Sequence, residues 1–251
     1  MDFTNKNVLV TGGTRGIGLA ISKSFAQSGA NVGMVYRTND HSAQNSLKTL
    51  GEGNHLLLKA DLSNPETRET IISEFLTHYR SIDILINNAG ISIPHQIEAC
   101  DLYQWQTAWR QTFETNLFAI ADLSFIAAKE MMKTGGGRIV NVSSRGAYRG
   151  EPAKPAYGSS KAALNSLSQS LAKALAPHHI YVSAVAPGFT DTEMGATTLT
   201  PVERERLLAE SPFKRMAKPE EVAHAVLFLA SEGAEYSSGT IIDVNGASYL
   251  R

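Results

Sequence analysis

The chain has 251 residues, enough for one large domain with a substantial core. Its 23 lysines and arginines nearly cancel 24 aspartates and glutamates, with no basic stripe, which argues against nucleic acid or an anionic membrane surface as a partner. A single cysteine, Cys100, excludes an internal disulfide and a thiolate zinc cluster; with no cationic, apolar leader at the N-terminus, the setting expected is reducing and cytoplasmic.

Short β-rich runs alternate with helical patterns along the whole chain. NVLVT (7–11) leads into GIGLAISKSFAQSG (16–29), and NVGMVY (31–36) into HSAQNSLKTLG (41–51). HLLLKA (55–60) precedes PETRETIISEFLTHY (65–79), and IDILIN (82–87) precedes a long helical stretch. GRIVNVS (137–143) precedes a helix over 155–176, then IYVSAVAP (180–187) follows and TIIDVNG (240–246) closes the series. The strands are near-continuous in Val, Ile and Leu, the mark of parallel strands covered on both faces. Alternating β and α elements predict one α/β domain over residues 1–251, a doubly wound parallel sheet with helices on both faces. Apolar runs such as AVLFLA are too short to cross a bilayer.

VLVTGGTRGIGLAIS places Gly12, Gly16 and Gly18 where the first strand turns into the first helix. Taken alone, a glycine run reads as a tight turn. After a first strand and at the start of a helix, it reads as a Rossmann-type loop, whose backbone approaches a pyrophosphate at the helix N-terminus. The spacing here is G-x-x-x-G-x-G.

PAYGSSKAALNSLSQSLAKALA (155–176) begins with Tyr157 and places Lys161 four positions later. On a helix these share one face. A phenol titrates near pH 10, too high for acid–base work at neutral pH, and a nearby ammonium lowers it. Without other signals the pair reads as one buried Tyr and one snorkelling Lys.

Those other signals are TGGTRGIG, DLS, NNAG, Asn116 in ETNL, VNVSS, YGSSK, VAPGFTDT and KPEEVA, in this order along nearly the whole chain. Together they resemble the classical short-chain dehydrogenases/reductases. The resemblance implies hydride transfer between a nicotinamide cofactor and a carbonyl or alcohol, with Asn116, Ser144, Tyr157 and Lys161 as the catalytic set. Tyr157 is then the proton donor or acceptor. Lys161 lowers its pKa and holds the nicotinamide ribose, and Ser144, thirteen positions before Tyr157, polarises the carbonyl. Asn116, in a stretch where an Asn is ordinarily solvated, holds a water that extends a proton relay from Lys161. Ser143 is the neighbouring alternative to Ser144.

The resemblance also implies a cofactor contact set. Gly12, Thr14, Arg15, Gly16, Ile17 and Gly18 form the phosphate loop, and Asp61 and Leu62 border the adenine. Asn88, Ala89 and Gly90 line the approach after the fourth strand, and Asn88 equally reads as a residue that stabilises the sheet. Pro187, Gly188 and Thr190 receive the carboxamide, while Tyr157 and Lys161 also touch the cofactor. Where NAD-binding members carry an acid after the second strand, this chain has Tyr36 followed by Arg37. Arg37 and Arg15 can pair with a 2′-phosphate, so the cofactor expected is NADP(H).

Among family members, GRIVNVSS, ESPFKRMAKPEEVA and IIDVNGA most resemble 3-oxoacyl-[acyl-carrier-protein] reductases, so the substrate expected is an acyl-carrier-linked or small-molecule carbonyl. Two features depart from that pattern: APHHI lacks the basic residue that many such enzymes carry there, and Arg145, Arg149 and Glu151 put charge beside Tyr157. They keep open a sugar or other polar carbonyl. A cofactor-sensing protein without catalysis is the rival from another class, and the intact catalytic set argues against it. The seven histidines show no metal-ligand spacing, His178 and His179 read as a helix end, and no metal is expected. Trp109 reads as a packing residue, and PVERERLLAESPFKRM as a solvated helix or a flap over the substrate. Apolar residues around much of the Tyr–Lys helix and along 117–121 predict a homotetramer.

Overall fold

The structure is a computed structural model and describes residues 1–192, 205 and 208–251. Seven strands form one parallel sheet in the order β3-β2-β1-β4-β5-β6-β7. They are β1 (Asn7–Thr11), β2 (Asn31–Tyr36), β3 (Leu56–Lys59), β4 (Ile84–Asn87), β5 (Gly137–Val142), β6 (Ile180–Pro187) and β7 (Ile241–Val244). Each lies within an expected β-rich run.

Why the strands read as apolar throughout is plain from the two cores. Successive side chains of a strand point to opposite faces. Val8 and Val10 of β1 therefore enter one apolar layer and Leu9 the other. Ile84 and Ile86 against Leu85, and Val140 and Val142 against Ile139, repeat the division in β4 and β5. The first layer is completed by α1 (Gly16–Gln27) and by α8 (Pro219–Ala230), through Ile21, Phe25, Val222 and Val226. The second is completed by α3 (Pro65–Tyr79), α5 (Ala119–Lys133) and α7 (Pro155–Leu175), through Phe75, Leu123, Met131 and Leu175. Burying each such side chain contributes about 1.5–3 kcal/mol. A further helix, α2 (Asp40–Lys48), lies between β2 and β3.

Several local features differ from the sequence reading. The long stretch after β4 is two helices, α4 (Leu102–Phe113) and α5, joined by a π-helical turn over Glu114–Phe118. A short helix, α6 (Gly146–Arg149), follows β5, and α8 was not among the expected elements. His178 ends a 3-10 turn after α7, and His179 takes the left-handed conformation (φ 57°) that closes it. Of the expected flap or helix over 201–216, residues 201–204, 206 and 207 lie outside the described residues; 208–210 are helical. Among the described residues, no helix is long and apolar enough to cross a membrane.

Strand order reverses between β1, which continues toward β2, and β4, which continues toward β5. Ligands of open α/β sheets bind in the crevice at such a switch point, beyond the carboxyl ends of the strands. Four of the expected site segments, at Gly12, Asn88, Ser144 and Gly188, directly follow those ends. One buried cation ties the frame together. Arg68 of α3, 2% exposed, donates from Nε to the Leu62 carbonyl (3.0 Å) and from Nη1 to Asp122 of α5 (2.6 Å). Its Nη2 pairs with Glu114 in the π turn.

Candidate active site

The first half of the site is the glycine turn. Gly12 sits at φ +62°, and a Cβ there would stand 3.2 Å from the Ala89 Cα. At Gly18 a Cβ would meet the Gly12 carbonyl oxygen at 2.1 Å, so the loop closes on its own helix only without a side chain. Arg15, the N-cap of α1, supplies no side-chain cap to the first-turn amides. Amides left in this way, at the positive end of the helix dipole, favour an anion. The turn therefore fits a dinucleotide pyrophosphate. Thr14 is held by Ser46, whose hydroxyl donates to its carbonyl (2.7 Å), and Ile17 packs against the core.

Thr11, absent from the sequence expectations, joins the two strand ends. Its hydroxyl oxygen accepts the amides of Asn88 (2.9 Å) and Ala89 (3.0 Å). Asn88 replies by donating Nδ2 to the carbonyls of Thr11 (2.9 Å) and Gly12 (3.2 Å). Its stabilising role between β1 and β4 is thus a matter of geometry. A buried hydroxyl ending a strand next to a glycine was the available signal for Thr11.

At the far end of the crevice, Arg15 and Arg37 are exposed, and among the described residues neither forms an ion pair. Asp40, the nearest acid after Tyr36, is turned to Lys59 (2.8 Å). Leu62 is buried, while Asp61 is exposed and accepts from the amide (3.0 Å) and hydroxyl (2.7 Å) of Ser63. Burial raises the Asp61 carboxyl, but those two bonds and the charge of Arg37 outweigh it and hold it below its usual value.

The second half is polar and enclosed. Ser144 accepts the Gly146 amide (3.0 Å), and its hydroxyl bears on the Tyr157 phenol, whose pKa it lowers. Ser143 donates to the Lys161 carbonyl (3.3 Å). Lys161 is 3% exposed, donates to the Val142 carbonyl (2.8 Å) and lies 6.0 Å from the Tyr157 ring centre. A Cβ on Gly90 would stand 3.6 Å from its Nζ. The ammonium thus faces the loop after β4.

The pKa values correct one expectation. Burial, not Lys161, dominates Tyr157: it pushes the phenol up, the Ser144 hydroxyl opposes it and the charge of Glu151 adds to it. Burial also pushes Lys161 down, to about 8. Both shifts arise because each group has left water for a low-dielectric interior.

Asn116 is placed by its side chain. It is fully buried, and both polar atoms of its side chain are engaged. Oδ1 accepts the Ile91 amide (2.8 Å), and Nδ2 donates to the Ile91 carbonyl (2.9 Å) and to Ser160 (3.1 Å). The π turn that carries it is a widening of a kind frequent at functional sites. At the sheet edge beyond, Pro187 ends β6, and Gly188 lies so close to Asn245 that a Cβ would meet its Cα at 2.9 Å. Thr190 turns its hydroxyl back to the Gly188 carbonyl (3.3 Å).

Arg145 is not a solvated loop residue. It is 3% exposed, lies 4.5 Å over the Phe189 ring and shares the Glu210 carboxylate with Arg149 (2.7 and 2.6 Å). Its Nη1 is buried with no hydrogen-bond partner among the described residues, and the side chain lines a cavity of about 190 Å³ with Phe189, Ser211 and Asn245. Trp109 does pack, stacked on Phe113 at 5.5 Å. Among the described residues no cluster of His, Cys, Asp and Glu could hold a metal.

The same architecture is found in a double mutant of a Serratia marcescens short-chain dehydrogenase/reductase, with a TM-score of 0.90, 30% identity and full coverage of both chains. A family model described as enoyl-(acyl carrier protein) reductase matches residues 12–247. The chain belongs to the short-chain dehydrogenases/reductases. It is therefore an oxidoreductase of a family that works with a nicotinamide cofactor. Among its curated relatives is the 3-oxoacyl-[acyl-carrier-protein] reductase of Escherichia coli, 36% identical with both chains covered in full. That of Chlamydia trachomatis is 35% identical over 97% of each chain. A 3alpha-hydroxysteroid dehydrogenase of Mediterraneibacter gnavus is 38% identical over 99% of this chain and 98% of its own.

Proposed function

We propose that this short-chain dehydrogenase/reductase uses NADP(H) to reduce the carbonyl of a 3-oxoacyl thioester, acyl-carrier-linked in the cell. The observation that carries the reading is the grouping of Tyr157 with the Ser144 hydroxyl that bears on its phenol and with buried Lys161, 6.0 Å from its ring centre, on the same sheet edge as the open N-terminus of α1. When bound, a nicotinamide supplies the hydride to the carbonyl carbon. Tyr157 gives its proton to the carbonyl oxygen, and Ser144 hydrogen-bonds the same oxygen and orients it. Burial holds the phenol above its ordinary pKa, so it keeps the proton it has to give. The charge of Lys161 stabilises the phenolate left behind, and Asn116 stands on the proton path from Lys161 to solvent.

Tyr36 and Arg37 support NADP(H), because a guanidinium directly follows β2 and the nearest acid, Asp40, is paired with Lys59. Arg15 approaches from the loop. Exposed Phe118, at the end of the π turn, and Phe125, on α5, support a homotetramer, and the lone Cys100 supports a cytoplasmic setting. A second reading, a polar or anionic carbonyl substrate, is favoured by the unpaired Nη1 of Arg145 in its cavity. The test is initial-rate kinetics with NADPH and NADH against acetoacetyl-coenzyme A, a 3-oxosteroid and a panel of ketoses and oxo acids. The first reading expects NADPH-driven reduction of the thioester with the highest kcat/KM. Preference for a ketose or oxo acid would replace it with the second, and no turnover of any carbonyl would sink both.

A further inference from the structure

The loop after β4 carries a buried histidine that the reaction above does not use. His95 is 4% exposed and held at three points. Its amide donates to the Ala153 carbonyl (2.9 Å), its Nδ1 lies 2.7 Å from the Ile93 carbonyl, and its Nε2 lies 3.2 Å from the Ala156 amide nitrogen. These partners fix the proton. An amide N–H can only donate, so Nε2 presents its lone pair; a carbonyl can only accept, so Nδ1 carries the hydrogen. The ring is neutral and in one tautomer. Trp105 meets it edge-on, with ring centres 5.2 Å apart.

Ala156 is the second residue of α7 and the neighbour of Tyr157. Amides of a first helical turn have no acceptor inside their own helix. Ala156 is fully buried, so water does not serve it, and the N-cap residue Lys154 gives no side-chain cap. We infer that His95 is the positioning residue of the catalytic helix. Its imidazole caps α7 from a loop 61 residues away in sequence, and so fixes where the Tyr157 phenol stands relative to Ser144. The same loop is pinned at its start by Asn116, through both polar groups of Ile91. Loop and helix are thus tied at two points, His95 to Ala156 and, through Asn116, Ile91 to Ser160. A protonated ring would lose the lone pair and bring a cation to the positive end of the helix.

The inference rests on the reading of Tyr157 as proton donor, and its test separates the two. His95→Gln keeps an acceptor within reach of Ala156, His95→Phe keeps the ring bulk against Trp105 without one, and His95→Asn keeps only the donor to Ile93. Kinetics with NADPH and acetoacetyl-coenzyme A should show kcat lowered about ten- to a hundredfold in the Phe and Asn variants, as expected for a small misplacement of a catalytic group. The KM for NADPH should hold, and the Gln variant should recover most of the loss. Hydrogen exchange of the peptide containing Ala156, read by mass spectrometry without substrate, should quicken in Phe and Asn but not in Gln. If Phe fails to fold, the Asn and Gln pair decides. Wild-type kcat in the Phe or Asn variant, or a Gln variant as impaired as Asn, would overturn the inference. Should the wild type turn over no carbonyl, the reading of the reaction fails, while the exchange contrast still decides the cap: no difference between Asn and Gln overturns it.

Discussion

Helices α1 and α7 both lead away from the carboxyl edge of the sheet, and neither has a side-chain cap at its own N-cap residue. By contrast α3 and α4 are capped locally, by Asn64 and by a box between Asp101 and Gln104. The two uncapped starts are then treated differently. At α1 the amides face the crevice, and the charged groups nearby, Arg15 and Arg37, are exposed. At α7 the amide of Ala156 is met by His95, Ser160 by Asn116, and the Lys161 ammonium by the Val142 carbonyl. The contrast separates two tasks. A surface that recognises an arriving ligand keeps donors in hand, whereas a surface that holds a reacting group still uses its own donors up.

Substitutions at the two ends should therefore have separable consequences. Tyr157→Phe removes one hydroxyl and keeps the ring; it should lower kcat about 10²- to 10⁴-fold, the range for a lost general acid. Fluorescence titration should find NADPH affinity unchanged, and a variant retaining a large share of kcat would break the assignment. Arg37→Ala acts at the other end. It should raise the KM for NADPH about ten- to a hundredfold, as for a lost charge-assisted contact, and leave that for NADH unchanged. An equal loss with both cofactors would remove the case for a 2′-phosphate site.

Lys161 sharpens the comparison through stability. Burial has depressed its pKa from 10.5 to about 8, so at neutral pH the folded chain bears a cost of about 3 kcal/mol for keeping the ammonium charged. Between those two values the unfolded chain binds a proton that the native chain does not, and the group's contribution to stability rises with pH. Lys161→Met should abolish turnover, raise Tm by a few degrees at pH 7, and lose that pH-dependent gain. Urea midpoints measured from pH 7 to 10 in both proteins check this, and parallel curves would contradict it. The smallest effect is expected at a local cap: Asp101→Ala should cost about 1 kcal/mol in thermal unfolding and leave kcat alone.

Much of the frame was legible because it is written in short-range pattern. Seven apolar runs bounded by turn residues gave seven strands, and GGTRGIG gave the turn into α1. The chemistry at Tyr157 was legible only through resemblance, since spacing alone puts Lys161 on the same face without saying where either side chain ends. What stayed hidden depends on tertiary burial or on long sequence separation. No periodicity announces the π turn at Glu114–Phe118, whose Asn116 is bonded to Ile91, 25 residues earlier. The sign of the Tyr157 shift could not be read either, because it is set by how much water the fold removes. The burial of Arg145 was hidden for the same reason: Glu210, its partner, is 65 residues away.

Arg68 touches no residue assigned to the chemistry, yet one of its nitrogens holds the carbonyl of Leu62 and another the turn that carries Asn116. Its planar fork serves three oxygens in three directions, which the single point charge of a lysine cannot do. In a mutational scan scored on activity, Arg68 would therefore rank among the pocket residues, and the conservative swap to Lys would be no refuge. The same geometry bears on chimeras. A shuffled enzyme that takes its first three β–α units from one parent and the remainder from another inherits Arg68 from the first and Glu114 and Asp122 from the second. Crossovers placed between α3 and α5 would be tolerated only where both parents carry all three.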